Sequence, residues 1–189
     1  IRTGKTVTIP LKDTRFSLNK STQTFEMIPS GNSTVWVSTS NAGVFHVDLE
    51  KASVIEHLYN DANNINSLAS DNIEFMMESQ GVLWVTSPGI GLLKIERDNK
   101  LLKSYRPPGE GISIQSSLNT NVRAIGELDK DNLLIGTLGG LYKFNKTSHT
   151  FSSLLSPVDG KPVMSNTSVS AIITDSKKNI WISAWGLQG

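Results

Sequence analysis

The chain contains no cysteine. Disulfides, thiolate nucleophiles and cysteine-based zinc sites are therefore excluded. Neither sign of charge dominates: 18 Lys and Arg face 17 Asp and Glu, for a formal net charge of +1. The basic field that would hold a nucleic acid or an anionic membrane surface is missing. No apolar run approaches the roughly 20 residues that a transmembrane helix needs, and no stretch sustains the 3.6-residue apolar period of a long helix. The sequence opens without an initiator Met or a signal peptide and closes on WGLQG, within a strand-like pattern. This is the expectation for a piece of a longer protein. What remains is 189 residues, 38% hydrophobic and 19% charged. The mean hydropathy is −0.17. That composition belongs to a globular chain able to bury a core.

Internal repetition organises the chain. The segments STVWVSTSNAGVFHV from Ser33, GVLWVTSPGIGLLKI from Gly81, NLLIGTLGGLYKF from Asn132 and NIWISAWGLQG from Asn179 share one design. Each has an apolar or apolar–Trp pair, then small polar residues, then Gly and an apolar strand. The anchors Trp36, Trp84, Leu134 and Trp181 stand 48, 50 and 47 residues apart. Upstream, Asn121-Val-Arg-Ala-Ile125 aligns without gaps to Ser168-Val-Ser-Ala-Ile172, and Asn72-Ile-Glu-Phe-Met76 takes the same place before Trp84.

The local signals are strands. Val35-Trp-Val, Leu83-Trp-Val, Leu133-Leu-Ile and Ile180-Trp-Ile are short, β-branched and aromatic. Turn clusters bound them, among them Asp129-Lys-Asp-Asn and Ser176-Lys-Lys-Asn. Residues 52–60 suit a helical turn in isolation, but the repeat frame makes them an outer strand. Residues 16–28 admit two readings. Phe16 to Phe25 matches Tyr142 to Phe151, which makes the stretch a pair of outer strands. Only seven residues separate Ile28 from Trp36, which makes Ile28 the end of a cramped upstream strand.

Four strands every 47–50 residues form a blade of a β-propeller. One small sheet cannot bury both faces; stacking sheets around an axis does so. The predicted fold is all-β: a β-propeller segment of about four blades, each of four antiparallel strands. The expected organisation is a partial outer blade over 1–28, repeats over about 29–71, 72–120 and 121–165, and a partial inner blade over 166–189. The four anchors are expected to pack against the next blade. Gly43, Gly91, Gly140 and Gly186 serve tight turns or close backbone approaches. A four-blade ring lies at the lower limit for closure. The expectation is therefore an open part of a larger propeller or a two-chain assembly, a homodimer, that closes a ring.

The pattern Asn-Val-x-x-Ile, an Asp/Asn/Gly turn, Ile-Trp-Ile-Ser/Thr, then Gly-Leu and a strand resembles the two-component regulator propeller repeat. Val169 to Leu187 is the nearest copy; Val122 to Phe144 follows with Leu134 for Trp, then Asn72 to Ile95, and the copy around Trp36 departs furthest. The resemblance implies an extracytoplasmic sensor region of a membrane-bound bacterial signalling protein. There it is commonly followed by an immunoglobulin-like domain, a transmembrane helix and a kinase or cyclic-dinucleotide output module. Some relatives take oligosaccharides. No ligand-site residue carries over, because the repeat motif is structural.

The chemistry-bearing residues are few. His46, His57 and His149 are the only histidines and none has metal-ligand spacing. No G-x-S-x-G elbow appears. Gly89-Ile-Gly91 and Gly136-Thr-Leu-Gly-Gly140 lack phosphate-loop spacing, and Asp129-Lys-Asp-Asn lacks the closing Glu of a calcium loop. Four N-x-[ST] sequons, at Asn19, Asn32, Asn145 and Asn166, need no more than the abundance of these residues in turns. Trp185 reads as packing or as a ligand-stacking aromatic. Three long inserts, from Tyr59, Tyr105 and Leu155, each link an outer strand to the next inner strand and so leave on one face. Their Tyr, Arg, Asn, Asp and Ser content suits an oligosaccharide or another small polar ligand. The candidate ligand residues are Tyr59, Asn63, Asn64, Tyr105, Arg106, Asp159 and Lys161. The expectation is a non-catalytic sensor segment with no cofactor and no metal, whose partners are a ligand and neighbouring domains. The alternatives are a protein-interaction scaffold and a propeller lyase or hydrolase, the last needing His and Glu clustered at the axial face.

Overall fold

Alternating β-branched and aromatic residues, broken by Gly, Asn and Asp turns, give fourteen strands among the described residues. A computed structural model describes residues 6–12, 21–96, 101–108, 118 and 121–186. The chain divides into two compact units, residues 1–73 and 74–189.

The first unit holds one four-stranded antiparallel sheet in sequence order. Its strands are β1 (Thr24–Pro29), β2 (Thr34–Thr39), β3 (Val44–Asp48) and β4 (Ser53–Leu58). β1 pairs with β2, placing Ile28 opposite Trp36 and Met27 opposite Val37. Residues 24–28 are thus the first strand of this blade, and the outer-strand reading of them is corrected. A tight turn makes the short link workable: Gly31 has φ of 80°, and the Ser30 N–H donates to the Thr34 carbonyl at 2.8 Å. Residues 13–20, the start of the stretch matched to 142–154, lie outside the described residues. Residues 53–58 are a strand, as the repeat frame requires. One face of the sheet buries Val35, Val37, Phe45 and Val47, with Ile9, Leu11 and Val54 against them. The other buries Trp36, stacked on His46 with ring centroids 4.0 Å apart. The connection after β4 returns across the β2–β3 turn: the Gly43 N–H donates to the Asp71 carbonyl at 2.8 Å. Gly43 has φ of 70°, and a methyl group there would overlap the Leu58 carbonyl oxygen. Only glycine satisfies both demands.

The second unit holds two complete blades and a two-stranded sheet. The first blade is β5 (Phe75–Ser79), β6 (Val82–Ser87), β7 (Gly91–Glu96) and β8 (Leu101–Tyr105). The next is β9 (Val122–Glu127), β10 (Asn132–Thr137), β11 (Gly140–Asn145) and β12 (Thr150–Ser153). β13 (Ser168–Thr174) pairs with β14 (Ile180–Trp185). The sheets stack through their inner strands. Trp84 and Leu92 share a buried cluster with Val122, Ile125, Ile135 and Phe144. Leu134 shares one with Val169 and Ile172. Gly126 and Gly136 face Ile172 and Val169 so closely that a methyl on either would collide with them. Removing an Ile or Leu side chain from water contributes about 1.5–3 kcal/mol, so each seam is a substantial hydrophobic contact. The general position is the same in both seams: the anchor on the second strand of one sheet meets the first strand of the next.

Trp181 departs from that rule. It is 64% exposed, whereas Trp84 and Leu134 are each 1% exposed. The cause lies outside its own strand. Trp181 lies on the face of β13–β14 that no described residue of the unit covers, so the inner-blade burial expected from the repeat is corrected for this copy. Its indole Nε1 donates instead to the Asp175 carboxylate at 3.0 Å.

Candidate functional site

Antiparallel order sends successive strand ends to opposite edges of each blade. The connections after β4, β8 and β12 leave from the same strand ends as the β2–β3, β6–β7 and β10–β11 turns of their own blades. All seven expected ligand residues belong to these connections or border them.

In the first unit the connection from Tyr59 is closed by its own hydrogen bonds. The Asn60 side chain donates to the Leu68 carbonyl at 2.5 Å, and the Asn60 N–H donates to Asp71 at 2.6 Å. The Asp61 N–H donates to the Ser67 hydroxyl at 2.9 Å. The Asn63 N–H donates to the Asp61 carboxylate, and Asn64 accepts from the Asn66 N–H at 3.0 Å. Asn63 and Asn64 are exposed. Tyr59 is half-buried, its ring tilted against His57 at 4.8 Å. Asp71 is raised above the usual carboxylate range, mainly by burial. The connection therefore presents polar side chains from an already ordered backbone.

In the second unit the candidate residues of the connections are exposed, with one exception. Arg106 is exposed, and its Nε donates back to the Ile90 carbonyl at 3.2 Å. The turn from Ser156 is closed by the Ser156 N–H donating to the Lys161 carbonyl at 2.8 Å, and a bridge joins Leu155 to Pro162. Asp159 accepts from the Lys161 N–H within it, and both side chains are exposed. Tyr105 is the exception. Its ring stacks on His149 at 4.9 Å and packs against Phe144 at 5.2 Å, across the seam to the next blade. Its hydroxyl is raised in pKa by burial and by the Glu96 charge. Tyr105 is seam packing more than open surface. Most of its insert, residues 109–117 and 119–120, lies outside the described residues, as does Asn19 of the sequons.

Two polar clusters, which no sequence motif marks, bridge the same seam. In one, Lys146 Nζ donates to Glu127 at 2.9 Å and to the Ser79 hydroxyl at 3.2 Å, while the Ser79 hydroxyl donates to Glu127 at 2.8 Å. Burial pushes the Glu127 carboxyl upward, but the hydrogen bonds from Lys146 and Ser79 outweigh it and the net pKa is lowered. In the other, Lys94 pairs with Glu96 at 2.5 Å, sits 5.8 Å from the Trp84 ring centroid and lies 3.4 Å from His149 Nε2. Burial, then the Lys94 and Lys103 charges, lower the His149 pKa. The partners come from different blades, so their spacing in sequence carries no motif.

The remaining chemistry-bearing residues have packing roles. His46 is buried on Trp36 and lies 3.9 Å from Glu56. His57 stacks on Phe45 at 3.9 Å and its Nε2 is 2.7 Å from the Ala42 carbonyl oxygen. Asp129 is a turn residue: it accepts from the Asp131 N–H at 2.8 Å and from the Asn132 side chain. These bonds, the Asp131 N–H first, lower its pKa. Asp175 does the same in the β13–β14 turn. With Trp181, Asn179 and the Lys177 N–H as donors, its pKa falls to about 2. Among the described residues, no group of three or more His, Asp or Glu is placed to hold a metal ion. Gly91 adjoins the Tyr105 carbonyl, Gly140 opens β11 and Gly186 follows β14. Trp185 is 73% exposed.

Comparison with known proteins places the fold. No family model matches. A curated relative, "Histidine kinase P4" of Formosa agariphila, is 26% identical over 157 residues, 81% of this chain and 11% of that protein. One solved structure is described as the extracellular domain of a hybrid two component system from B. thetaiotaomicron. It matches with a TM-score of 0.65 at 18% identity, over 90% of this chain and 22% of that one. The extracellular domain of a one component system from the same organism gives 0.59 at 15% identity, over 85% and 26%. The WD40 β-propeller domain of Doa1 gives 0.57 at 8% identity, over 84% and 47%. The fold is that of a β-propeller segment. The chain spans about a tenth of the kinase and about a quarter of the two extracellular domains.

Proposed function

We propose that this chain is part of the extracytoplasmic recognition region of a membrane-anchored, two-component-type bacterial sensor, and that it binds a ligand without transforming it. The observation that carries the reading is the division of labour within each blade. The strands bury Trp84 and Leu134 in hydrophobic seams, while the connections leave one set of strand ends in each blade and present Asn63, Asn64, Asp159 and Lys161 from backbone already closed by hydrogen bonds, with Arg106 held by its own bond to the Ile90 carbonyl. Such preorganised donors and acceptors suit hydroxyl-rich ligands, an oligosaccharide above all, because little ordering cost is added on binding. The likeness to extracellular domains of signalling systems and the kinase relative support the same role. The reading makes this segment non-enzymatic: its three histidines are engaged in ring stacking.

Calorimetric titration of the chain with a panel of oligosaccharides tests it. One class of saccharide is expected to bind and to be recovered unchanged, with binding weakened at least tenfold by Asn64→Ala or Lys161→Ala. A panel without a binder, or a saccharide cleaved on incubation, overturns it. Two exposed apolar side chains, each on its own connection, suit the scaffold alternative: Ile65 is 97% exposed and Val158 93%. If so, Ile65→Ser and Val158→Ser remove partner binding and leave saccharides unaffected.

A further inference from the structure

The seam between the two complete blades of the second unit holds a titratable group that recognition leaves unused. His149 sits in the β11–β12 turn with φ of 57°, a left-handed conformation uncommon for a non-glycine residue. The turn is closed by its own bonds. The His149 N–H donates to the Asn145 carbonyl at 2.9 Å, and the Asn145 side chain accepts from the Thr147 and Ser148 N–H groups at 3.0 and 2.8 Å. The imidazole meets the preceding blade: it stacks on Tyr105 at 4.9 Å, with the Phe144 ring 6.4 Å away. The Tyr105 hydroxyl is buried without a hydrogen-bond partner, so ring contacts hold this side chain. Lys94 Nζ lies 3.4 Å from His149 Nε2. An ammonium only donates, so Nε2 is the acceptor and the imidazole is neutral. Among the described residues, the charged groups that act on it are Lys94 and Glu96 of β7 and Lys103 of β8. Lys146, on its own turn, is engaged by Glu127 and Ser79. The inner part of the same seam is apolar, with Trp84, Ile125, Ile135 and Phe144 buried together.

We propose that His149 is an acid-operated latch on the outer part of this seam: neutral, it holds the end of β8 against the next blade; protonated, it leaves the Tyr105 ring while the inner seam stays closed. Protonation removes the acceptor of the Lys94 bond and sets two cations 3.4 Å apart. The Lys94 side chain is only 14% exposed, so solvent screens that repulsion poorly. The Glu96 carboxylate is already committed to Lys94 at 2.5 Å. Water outside the seam solvates an imidazolium without this repulsion. The turn need not melt, because Asn145 keeps it closed and rotation of the His149 side chain suffices. Tyr105 ends β8 and precedes Arg106, so its release frees the strand end that carries a candidate recognition residue. The direction follows from the proton count. Burial, Lys94 and Lys103 lower the His149 pKa in the closed seam, so the closed form binds fewer protons than the open one. The latch is therefore shut above about pH 6.5, the ordinary imidazole value, and opens as pH falls through the lower value of the closed seam. It needs no ligand, so its failure leaves the recognition reading standing.

NMR of the unaltered chain, taken from about pH 7.5 down through the measured His149 titration, tests this. At the upper end His149 is expected as the Nδ1–H tautomer, with NOEs between its ring and that of Tyr105. As the imidazole titrates, those NOEs are expected to vanish while NOEs between Trp84 and Phe144 remain. Amide exchange at residues 103–106 is expected to accelerate beyond the intrinsic rate, by about tenfold for each unit that the measured His149 pKa lies below about 6.5. Lys94→Met leaves Glu96 facing the imidazolium and is expected to keep the ring NOEs through the titration. His149→Asn carries no titratable group and tolerates the left-handed turn. It is expected to show the fast exchange at 103–106 already at neutral pH. Circular dichroism checks that both variants keep their sheets. An Nε2–H tautomer at neutral pH overturns the proposal, as do ring NOEs that survive protonation in the unaltered chain. Loss of the Trp84–Phe144 NOEs in the same step overturns it too, because the sheets would then be separating as a whole.

Discussion

Replacing Trp84 by Ala probes the seam that organises the second unit. Trp84 is 1% exposed, clusters with Ile125 and Leu133, and meets Phe144 edge-on at 5.5 Å. Truncating a buried Trp to Ala costs about 3–5 kcal/mol, because transfer free energy and a cavity are lost together. The aromatic pair accounts for about 0.5–1.5 kcal/mol of it. For a chain of this size each kcal/mol lowers Tm by about 2–4 °C, so a fall of about 6–20 °C is expected. Trp84→Leu follows the solution that Leu134 provides in the next blade and should cost less, about 1–3 kcal/mol. Trp181→Ala is the internal control at the equivalent position. At 64% exposure it loses little burial, and with it one hydrogen bond to Asp175, so it should cost about 1 kcal/mol. Urea unfolding followed by circular dichroism measures all three. Equal losses for Trp84→Ala and Trp181→Ala would refute the argument that the seam, not the motif, sets the anchor's worth.

Other substitutions test the polar seams and turns. Lys146→Met leaves Glu127 and the Ser79 hydroxyl without their ammonium partner; Glu127 is partly exposed, so the loss should be about 1 kcal/mol, read in the same urea unfolding. Asp175 is lowered to about 2 in the folded chain against 3.8 ordinarily. Its contribution is complete above about pH 4 and disappears as pH falls through about 2. Asp175→Asn should therefore flatten the acid limb of the stability curve between those values, measured by Tm at stepped pH. His149 is held below its ordinary pKa by burial, then by Lys94 and Lys103, against a small opposing effect of Glu96. Its folded form binds fewer protons than the unfolded one, so this contribution is present above about pH 6.5 and is lost as pH falls through the folded value. Lys94→Met removes one cation and frees Glu96, so the imidazole titration seen by NMR should move upward.

How much of this was legible in the sequence follows from which contacts are local. Trp36, Trp84 and Leu134 announced themselves by spacing, because each blade repeats one strand–turn–strand arrangement whose turns are built from adjacent residues. Residues 24–28 misled in one of their two readings, since Phe16 to Phe25 and Tyr142 to Phe151 share turn chemistry, whereas strand pairing is decided by the tight turn at Gly31. Trp181 carries the right motif yet is exposed, because burial of an anchor belongs to the neighbouring sheet and not to its own strand. Tyr105 looked like a ligand contact from its insert. Its ring instead meets Phe144 and His149 of the next blade, a partnership more than 35 residues distant that no local pattern encodes. The Ser79–Glu127–Lys146 cluster escaped notice for the same reason.

The claim that recognition lies on the long connections is tested most directly by hydrogen–deuterium exchange of the chain with and without the saccharide that calorimetry selects. Added protection is expected at residues 59–68, 105–108 and 155–162, with the opposite turns at 79–82, 127–132 and 145–150 unchanged. Protection confined to those opposite turns would contradict the account.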